Sequence, residues 1–308
     1  MNFLAEHVEL LKDKVRLDCF DRALRKCVGK GDLVLDIGTG TGIMSFLALR
    51  AGAKGVCAIE RGRVLQAARR LAQAHGLADR IRWFHGEAVK TRLPRKADLL
   101  VTETLGHIGV DEGILATVPD AHRRLLNRPG RVIPRDFSVM VAAVTVPSVY
   151  REWIAWKRSV QGVSYRPLQS LAVNAVWLLP RWPRRTLSRS RPIFTFSLPG
   201  LRENPLPAEA ECRMRIDRGG AFHGMMGSFR ATLAPGVILD SSRTSSWRPL
   251  LFPSREPARV KAGDQLLFKL RLERDGQYTW DIRLKRGQGV FFRSVGSTLL
   301  LHPAASKL

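Results

Sequence analysis

The sequence predicts an α/β protein: a parallel sheet covered by helices over residues 1–136, followed by an antiparallel β domain over 137–308 with a partly helical arm at about 150–190. Three observations predict it. From Glu6 to about Val144, helical stretches alternate with short apolar runs. After Pro134, short strand-like stretches punctuated by Pro and Gly take over. A length of 308 residues suits two domains better than one.

Residues 6–27 read as one helix, Asp32-Leu-Val-Leu-Asp36 as a strand and Ile43 to Ala51 as an apolar helix. Gly55-Val-Cys-Ala-Ile59 is a second strand, and Arg63 to His75 is a helix ended by Gly76, a residue type that accepts the left-handed turn after a helix. Ile81 to Phe84 and Ala97 to Thr102 are further strands, and a helix from about Ile114 to Leu126 stops before Pro129-Gly130. Strands and helices alternating at this spacing imply parallel pairing. In the second half, residues 193–198, 220–233, 265–272 and 278–283 read as strands of a sandwich or barrel.

The chain carries 51 Lys plus Arg against 27 Asp plus Glu, a net charge of +24, and residues 146–308 hold +16 of it. With 45% hydrophobic residues it can bury a core, which excludes a disordered chain. No stretch approaches the roughly 20 apolar residues that span a bilayer. MNFLAEHVELLKDK has acids among its first ten residues and no apolar core after a basic start, so no secretory leader is expected and the protein reads as cytoplasmic. Cys19, Cys27, Cys57 and Cys212 lack CxxC spacing, which argues against a zinc site or a disulfide framework. No metal site is expected. The charge suits a polyanion such as RNA or an acidic partner, or is compositional. Between Arg151 and Arg191, nine basic residues and the single acid Glu152 are interleaved with Trp153, Trp156, Tyr165, Trp177 and Trp182. Such a segment can stack on bases or form the buried contacts of a helical arm.

Asp36-Ile-Gly38-Thr-Gly40-Thr-Gly42 falls where the first strand meets the next helix, and glycines there let a ligand approach the backbone at a helix N-terminus. The spacing is GxGxG preceded by an acid, whereas a dinucleotide fingerprint would need a glycine at Ile43. Asp36 disfavours a pyrophosphate and suits the ammonium of a zwitterion. Glu60 ends the second strand, where a carboxylate can accept both ribose hydroxyls. Glu87, after the third strand, is placed to accept from an adenine amine. Amino acid, ribose and adenine together describe S-adenosylmethionine. Beyond the fourth strand, Glu103 and Glu112 stand nine residues apart with Gly106 and Gly109 between them, a spacing that lets a hairpin present both carboxylates to one cation.

These residues resemble the protein arginine N-methyltransferases, whose double-glutamate loop has the same separation. His7-Val-Glu-Leu-Leu-Lys-Asp-Lys-Val-Arg16 is similar to the family's cofactor-covering helix, and the resemblance implies that Arg16 binds the cofactor carboxylate. Val132-Ile-Pro134-Arg is similar to the crossing into the family's β barrel, Gly220-Ala-Phe-His223-Gly224 to a barrel strand, and Thr244-Ser-Ser246-Trp247 to its threonine-histidine-tryptophan loop. The resemblance runs from about His7 to Arg283. It implies a Rossmann-like class I methyltransferase domain followed by a β barrel, a dimerisation arm at 150–190 and a homodimer. It also implies that Glu103 and Glu112 bind and activate a guanidinium, with Trp247, Ser246 and Leu105 lining the acceptor channel.

The chain departs from that pattern at Thr104 and Leu105, where the family has Trp and Met, at Ser246 for His and at Phe20 for Tyr, and a tyrosine-rich lid helix is not expected. These departures describe a divergent, bacterial-like member and leave its acceptor open. The expected activity is methylation of a guanidino nitrogen in a protein or peptide. The alternatives are a small guanidine or amine such as free arginine, and a basic RNA- or ribosome-associated methyltransferase or non-catalytic binding module.

Overall fold

In the computed structural model, residues 3–156, 158–180, 182–183 and 185–301 are described. Lys157, Arg181 and Arg184 of the basic stretch lie outside them. The expected helix over 6–27 is two helices, α1 (Phe3–Lys12) and α2 (Lys14–Cys27). Asp13 separates them because its carboxylate accepts from the Arg16 N–H and caps α2, which competes with continuing the helix. In α2 the buried positions are Arg16, Cys19, Phe20, Ala23 and Leu24, the i, i+3, i+4, i+7, i+8 stripe of a helix laid on a core.

There follow β1 (Leu33–Ile37), α3 (Ile43–Arg50), β2 (Gly55–Glu60), α4 (Leu65–Ala74), β3 (Ile81–His85), β4 (Ala97–Thr102), α5 (Ile114–Arg124) and β5 (Leu126–Ile133). These five strands form a sheet in the order β3-β2-β1-β4-β5, and every pair is parallel. β1 is buried along its whole length, as a central strand covered on both faces must be. β5 was not expected: Pro129 and Gly130 read as a stop, yet Arg131, Val132 and Ile133 pair with Leu99, Leu100 and Val101 at an edge that tolerates a missing donor. The chain steps outward from β1 to β3 on one side and from β4 to β5 on the other. The switch point lies between β1 and β4, where ligands of open α/β sheets bind.

The second half contains β6 (Asp136–Val144), α6 (Pro147–Ala155), the hairpin β7 (Ser159–Val160) and β8 (Val163–Ser164), α7 (Gln169–Val173) and β9 (Trp177–Leu178). The 150–190 segment is thus partly helical, as expected. Then come β10 (Arg191–Ser197), β11 (Ala208–Arg215), β12 (Gly220–Ala234), β13 (Val237–Asp240), β14 (Leu250–Val260), β15 (Gln265–Leu272), β16 (Tyr278–Arg286) and β17 (Gly289–Ser297). Consistent with the expected antiparallel β domain, these strands form two sheets among the described residues, one running β10-β6-β12-β14-β9 with β13 on β12, the other β11-β15-β16-β17.

By contacts the chain divides into two compact units. The first takes in Met1–Ser138 and adds Thr195–Pro205 and Phe229–Trp247 to the expected 1–136 segment; the second is Val139–Phe194, Leu206–Ser228 and Arg248–Leu308. The second unit packs Phe252 against Phe268, Tyr278 and Trp280, with ring centroids 5.5–5.8 Å apart. No described helix is long and apolar enough to cross a membrane.

Candidate active site

The site belongs to the first unit and is built on the carboxyl ends of β1, β2 and β4. Register aligns Ile37 with Ile59 and with Thr102, so the residues that follow these strands emerge side by side. They are the glycine turn, Glu60 and Glu103. A cleft of about 620 Å³ runs over them.

The turn from Gly38 to Gly42 brings backbone to the cleft floor. Gly40 has φ +56°, and a Cβ there would come within 3.2 Å of the His7 ring, so glycine suits both the backbone and the space. Gly40 donates its N–H to Glu60 Oε2 at 3.0 Å, and Gly62 donates to Oε1 at 2.6 Å. Gly38, Gly40, Glu60 and Glu87 all line the cleft. Glu87 is exposed and paired with Lys90 at 2.7 Å, and this cation holds its carboxyl below the usual range.

Asp36 does not line the cleft. It is buried beneath the turn, where Oδ2 accepts from Thr39 Oγ1 at 2.5 Å and Ser45 Oγ at 2.6 Å. Burial pushes its carboxyl up to about 6. The structure thus corrects the expected ligand contact: two hydroxyls three and nine residues downstream turn Asp36 into a support for the glycine turn.

Glu103, Thr104, His107 and Glu112 face the cleft from the loop after β4. Asp111 folds this loop back on itself, accepting from the N–H groups of His107 at 2.8 Å and Ile108 at 3.0 Å. Gly106, at φ +63°, leaves room for that carboxylate; a Cβ would meet it at 2.5 Å. Leu105 is a correction as well. It is fully buried and absent from the cleft wall, because the loop turns its side chain inward and presents Thr104 instead.

Arg16 and Glu103, 87 residues apart, meet in the cleft. Arg16 Nε donates to Glu103 Oε2 at 3.0 Å and Nη2 donates to the same oxygen. The side chains are 5% and 10% exposed, so this is a buried ion pair. Arg16 Nη1 donates to Leu10 O at 2.8 Å, and the guanidinium lies 5.9 Å from the Trp247 ring centroid. Burial pushes the Glu103 carboxyl up despite the opposing Arg16. For Glu112, burial and the neighbouring charges of Glu103 and Asp111 push it up to about 7.

Ser246 and Trp247 complete the wall. Trp247 meets Phe229 edge to face, with centroids 4.9 Å apart. Asp13 anchors this segment: its Oδ2 accepts from Ser245 N at 3.0 Å, Ser246 N at 2.9 Å and Ser246 Oγ at 2.7 Å, while Oδ1 caps α2. Burial raises the Asp13 carboxyl, and these hydrogen bonds outweigh it and bring the group below its usual value. Sequence reasoning missed Asp13, although an Asp interrupting a helical run ahead of Val-Arg is an N-cap signal. Asp13→Ala is expected to cost about 2–3 kcal/mol, from the lost cap and the donors left without an acceptor. It should also speed amide exchange at Ser245 and Ser246. Unchanged exchange there would remove Asp13 as the anchor.

A glycine turn at a helix N-terminus, a strand-end carboxylate and two glutamates at one mouth, Glu103 largely buried and Glu112 exposed, suit a ligand with hydroxyls and a second one with a cation. No group of His, Cys, Asp and Glu able to hold a metal ion occurs among the described residues.

Residues 34–130 match a family described as a methyltransferase domain. A probable protein arginine N-methyltransferase 6 of Arabidopsis thaliana is 29% identical over 176 residues, 56% of this chain and 40% of that protein. A probable protein arginine N-methyltransferase 6.1 of Oryza sativa subsp. indica is 30% identical over 169 residues, 54% of this chain and 44% of that one. The match thus spans less than half the length of these two plant proteins. Protein arginine N-methyltransferase 1 of Schizosaccharomyces pombe is 27% identical over 275 residues, covering 84% of this chain and 79% of the yeast protein. Two solved structures share the fold. The Trypanosoma brucei PRMT1 enzyme-prozyme heterotetrameric complex with AdoHcy superposes with a TM-score of 0.84 at 23% identity, covering 94% of this chain and 97% of that one. Arabidopsis thaliana protein arginine methyltransferase 10 gives 0.82 at 18% identity, covering 96% and 99%.

Proposed function

We propose, because this chain belongs to the protein arginine N-methyltransferase family, that it transfers a methyl group from S-adenosylmethionine to a guanidino nitrogen of an arginine in a protein or peptide. The observation that carries the reading is the Arg16–Glu103 pair: the cleft already seats a guanidinium on one of its two glutamates. The residues present also fit the cofactor. The glycine turn gives backbone access, and Glu60 offers acceptors for ribose hydroxyls at the end of β2. Glu87 stands at the rim for an adenine amine, and Arg16 lies within reach of a carboxylate. When bound, S-adenosylmethionine supplies an electrophilic methyl group.

The chain's own contribution is placement and charge. A guanidinium has a pKa above about 12 and a delocalised lone pair, so it attacks poorly unless held and polarised. Glu103 and Glu112 would take its N–H groups in charge-assisted hydrogen bonds, drawing positive charge toward themselves and away from the attacking nitrogen. Glu112, with its raised pKa, is the better acceptor of the proton released after transfer. Trp247 and Ser246 would wall the channel, their position set by Asp13.

A pH dependence follows. Only ionised Glu112 grips a guanidinium, and its carboxyl titrates at about 7 rather than 4.5. Therefore kcat/KM should rise about tenfold per pH unit up to about 7 and level above it. The folded state holds this proton more tightly than the unfolded chain, so the same group makes stability fall as pH rises from about 4.5 to 7. Glu112→Gln should remove the rate limb; a limb that survives the substitution belongs to another group.

The activity itself is tested by offering labelled cofactor with separate pools of protein, RNA and small amines. Label on protein arginine supports the reading, and label confined to free arginine or RNA replaces it. The exposed Val160, Val163, Leu168 and Leu171 on the arm support a homodimer, which sedimentation at micromolar concentration tests.

A further inference from the structure

We propose that the outer face of the β11-β15-β16-β17 sheet, at its Arg215 and Lys285 end, is a binding surface for single-stranded nucleic acid. Alternation sets which side chains face out. β11 buries Cys212 and Met214, β15 buries Leu266, Phe268 and Leu270, and β16 buries Ile282 and Leu284. The residues between them lie on the opposite face. Register then arranges that face in rows. Arg215, Gln265 and Lys285 form one row, and Arg213, Leu267, Arg283 and Arg293 form the next. These two rows hold five cations and no acid. The following rows, Glu211-Lys269-Asp281 and Glu209-Arg271-Thr279, hold two cations and three acids. The face is therefore polarised, with its basic charge gathered at one end.

The cations at that end are available. A single carboxylate, Asp281, serves both Arg283 at 2.7 Å and Arg293 at 2.9 Å, and Arg213 pairs with Glu211 at 2.9 Å. The Arg213–Glu211 pair is exposed, and pairs of that kind are worth about 0–1 kcal/mol, so a phosphate displaces it at little cost, while Arg283 and Arg293 share the one mostly buried Asp281 and so leave positive charge over. Among the described residues neither Arg215 nor Lys285 has an ion pair. At the same end Arg286, which donates from Nε and Nη2 to the buried Asp264 at 2.8 Å each, lies with its guanidinium 4.6 Å from the centroid of the Phe291 ring, which is 40% exposed. An exposed ring beside a planar cation is a stacking platform for a base. This platform favours a nucleic acid over an acidic protein segment, which has no base to stack. It favours a single strand over a duplex, whose bases are already stacked. The inference does not depend on methyl transfer.

The test uses the full chain and a fluorescein-labelled oligouridylate of about 20 nucleotides, read by anisotropy between about 50 and 200 mM salt. With three to five phosphates engaged, the slope of log K against log salt is expected at about −2 to −3.5. The triple variant Arg215→Gln, Lys285→Gln, Arg293→Gln should bind at least about tenfold more weakly, with a slope shallower by about 2. A control carrying Arg69→Gln, Arg70→Gln and Arg92→Gln removes the same charge from exposed positions in the first unit and should lose at most about threefold. Phe291→Ala should weaken binding about five- to tenfold and leave the slope unchanged. Melting curves check that both triples are folded, and single Arg215→Gln and Lys285→Gln variants carry the comparison if the triple is not. Equal losses in the two triples, no binding by the parent at 50 mM salt, or displacement of the RNA by polyglutamate as readily as by unlabelled RNA would each overturn the proposal.

Discussion

Glu103→Gln is expected to lower turnover by about two to three orders of magnitude while cofactor affinity stays within about threefold. The substitution keeps size and removes one charge from a site where that charge is buried, and buried charge is where electrostatic stabilisation of a transition state is strongest. A glutamine still accepts one hydrogen bond from a guanidinium but no longer draws its positive charge from the attacking nitrogen. The residues proposed to hold ribose and adenine, Glu60 and Glu87, are untouched, so the loss should fall on kcat. Calorimetric titration with cofactor and initial rates under saturating substrate separate the two. Turnover retained within a few-fold would take Glu103 out of the mechanism.

Arg16→Leu is expected to destabilise the first unit by about 3–5 kcal/mol, because it leaves the Glu103 carboxylate buried without its cation. That corresponds to a melting point lower by roughly ten degrees. The paired change Arg16→Leu with Glu103→Leu should recover most of the loss, since a buried ion pair exchanged for apolar side chains costs little. The same single variant should weaken cofactor binding, as Arg16 is proposed to carry the cofactor carboxylate as well. A single variant melting within two degrees of the parent, about the smallest shift that one kcal/mol makes, would show that water reaches Glu103 and that the pair is not buried in solution.

Much of the first unit was legible because its signals are local. β1 is apolar except for Asp36, the glycines of the turn carry positive φ, and α2 shows its buried stripe in the spacing of Phe20, Ala23 and Leu24. The misses have equally local causes. The Asp13 break hid inside a run with good helical periodicity, and β5 hid behind Pro129-Gly130 because an edge strand tolerates what a central one does not. That the second half is built of antiparallel strands was legible, while which strands pair within its two sheets is not written in any one strand. Leu105 was expected in the channel from the resemblance, but the loop presents Thr104 to the cleft and buries Leu105 completely.

By itself the sequence determined the alternation of strands and helices from β1 to β4, the glycine turn, the carboxylate at the end of β2 and the nine-residue spacing of Glu103 and Glu112, since each depends on neighbours in the chain. Only the tertiary structure decided which charges meet. Glu103 takes Arg16 across 87 residues, Asp13 takes Ser246 across 233, and Asp36 turns from the ligand to Thr39 and Ser45. The reason is that a buried polar group must find its partner among whatever the fold brings within about 3 Å, and separation along the chain does not set that distance.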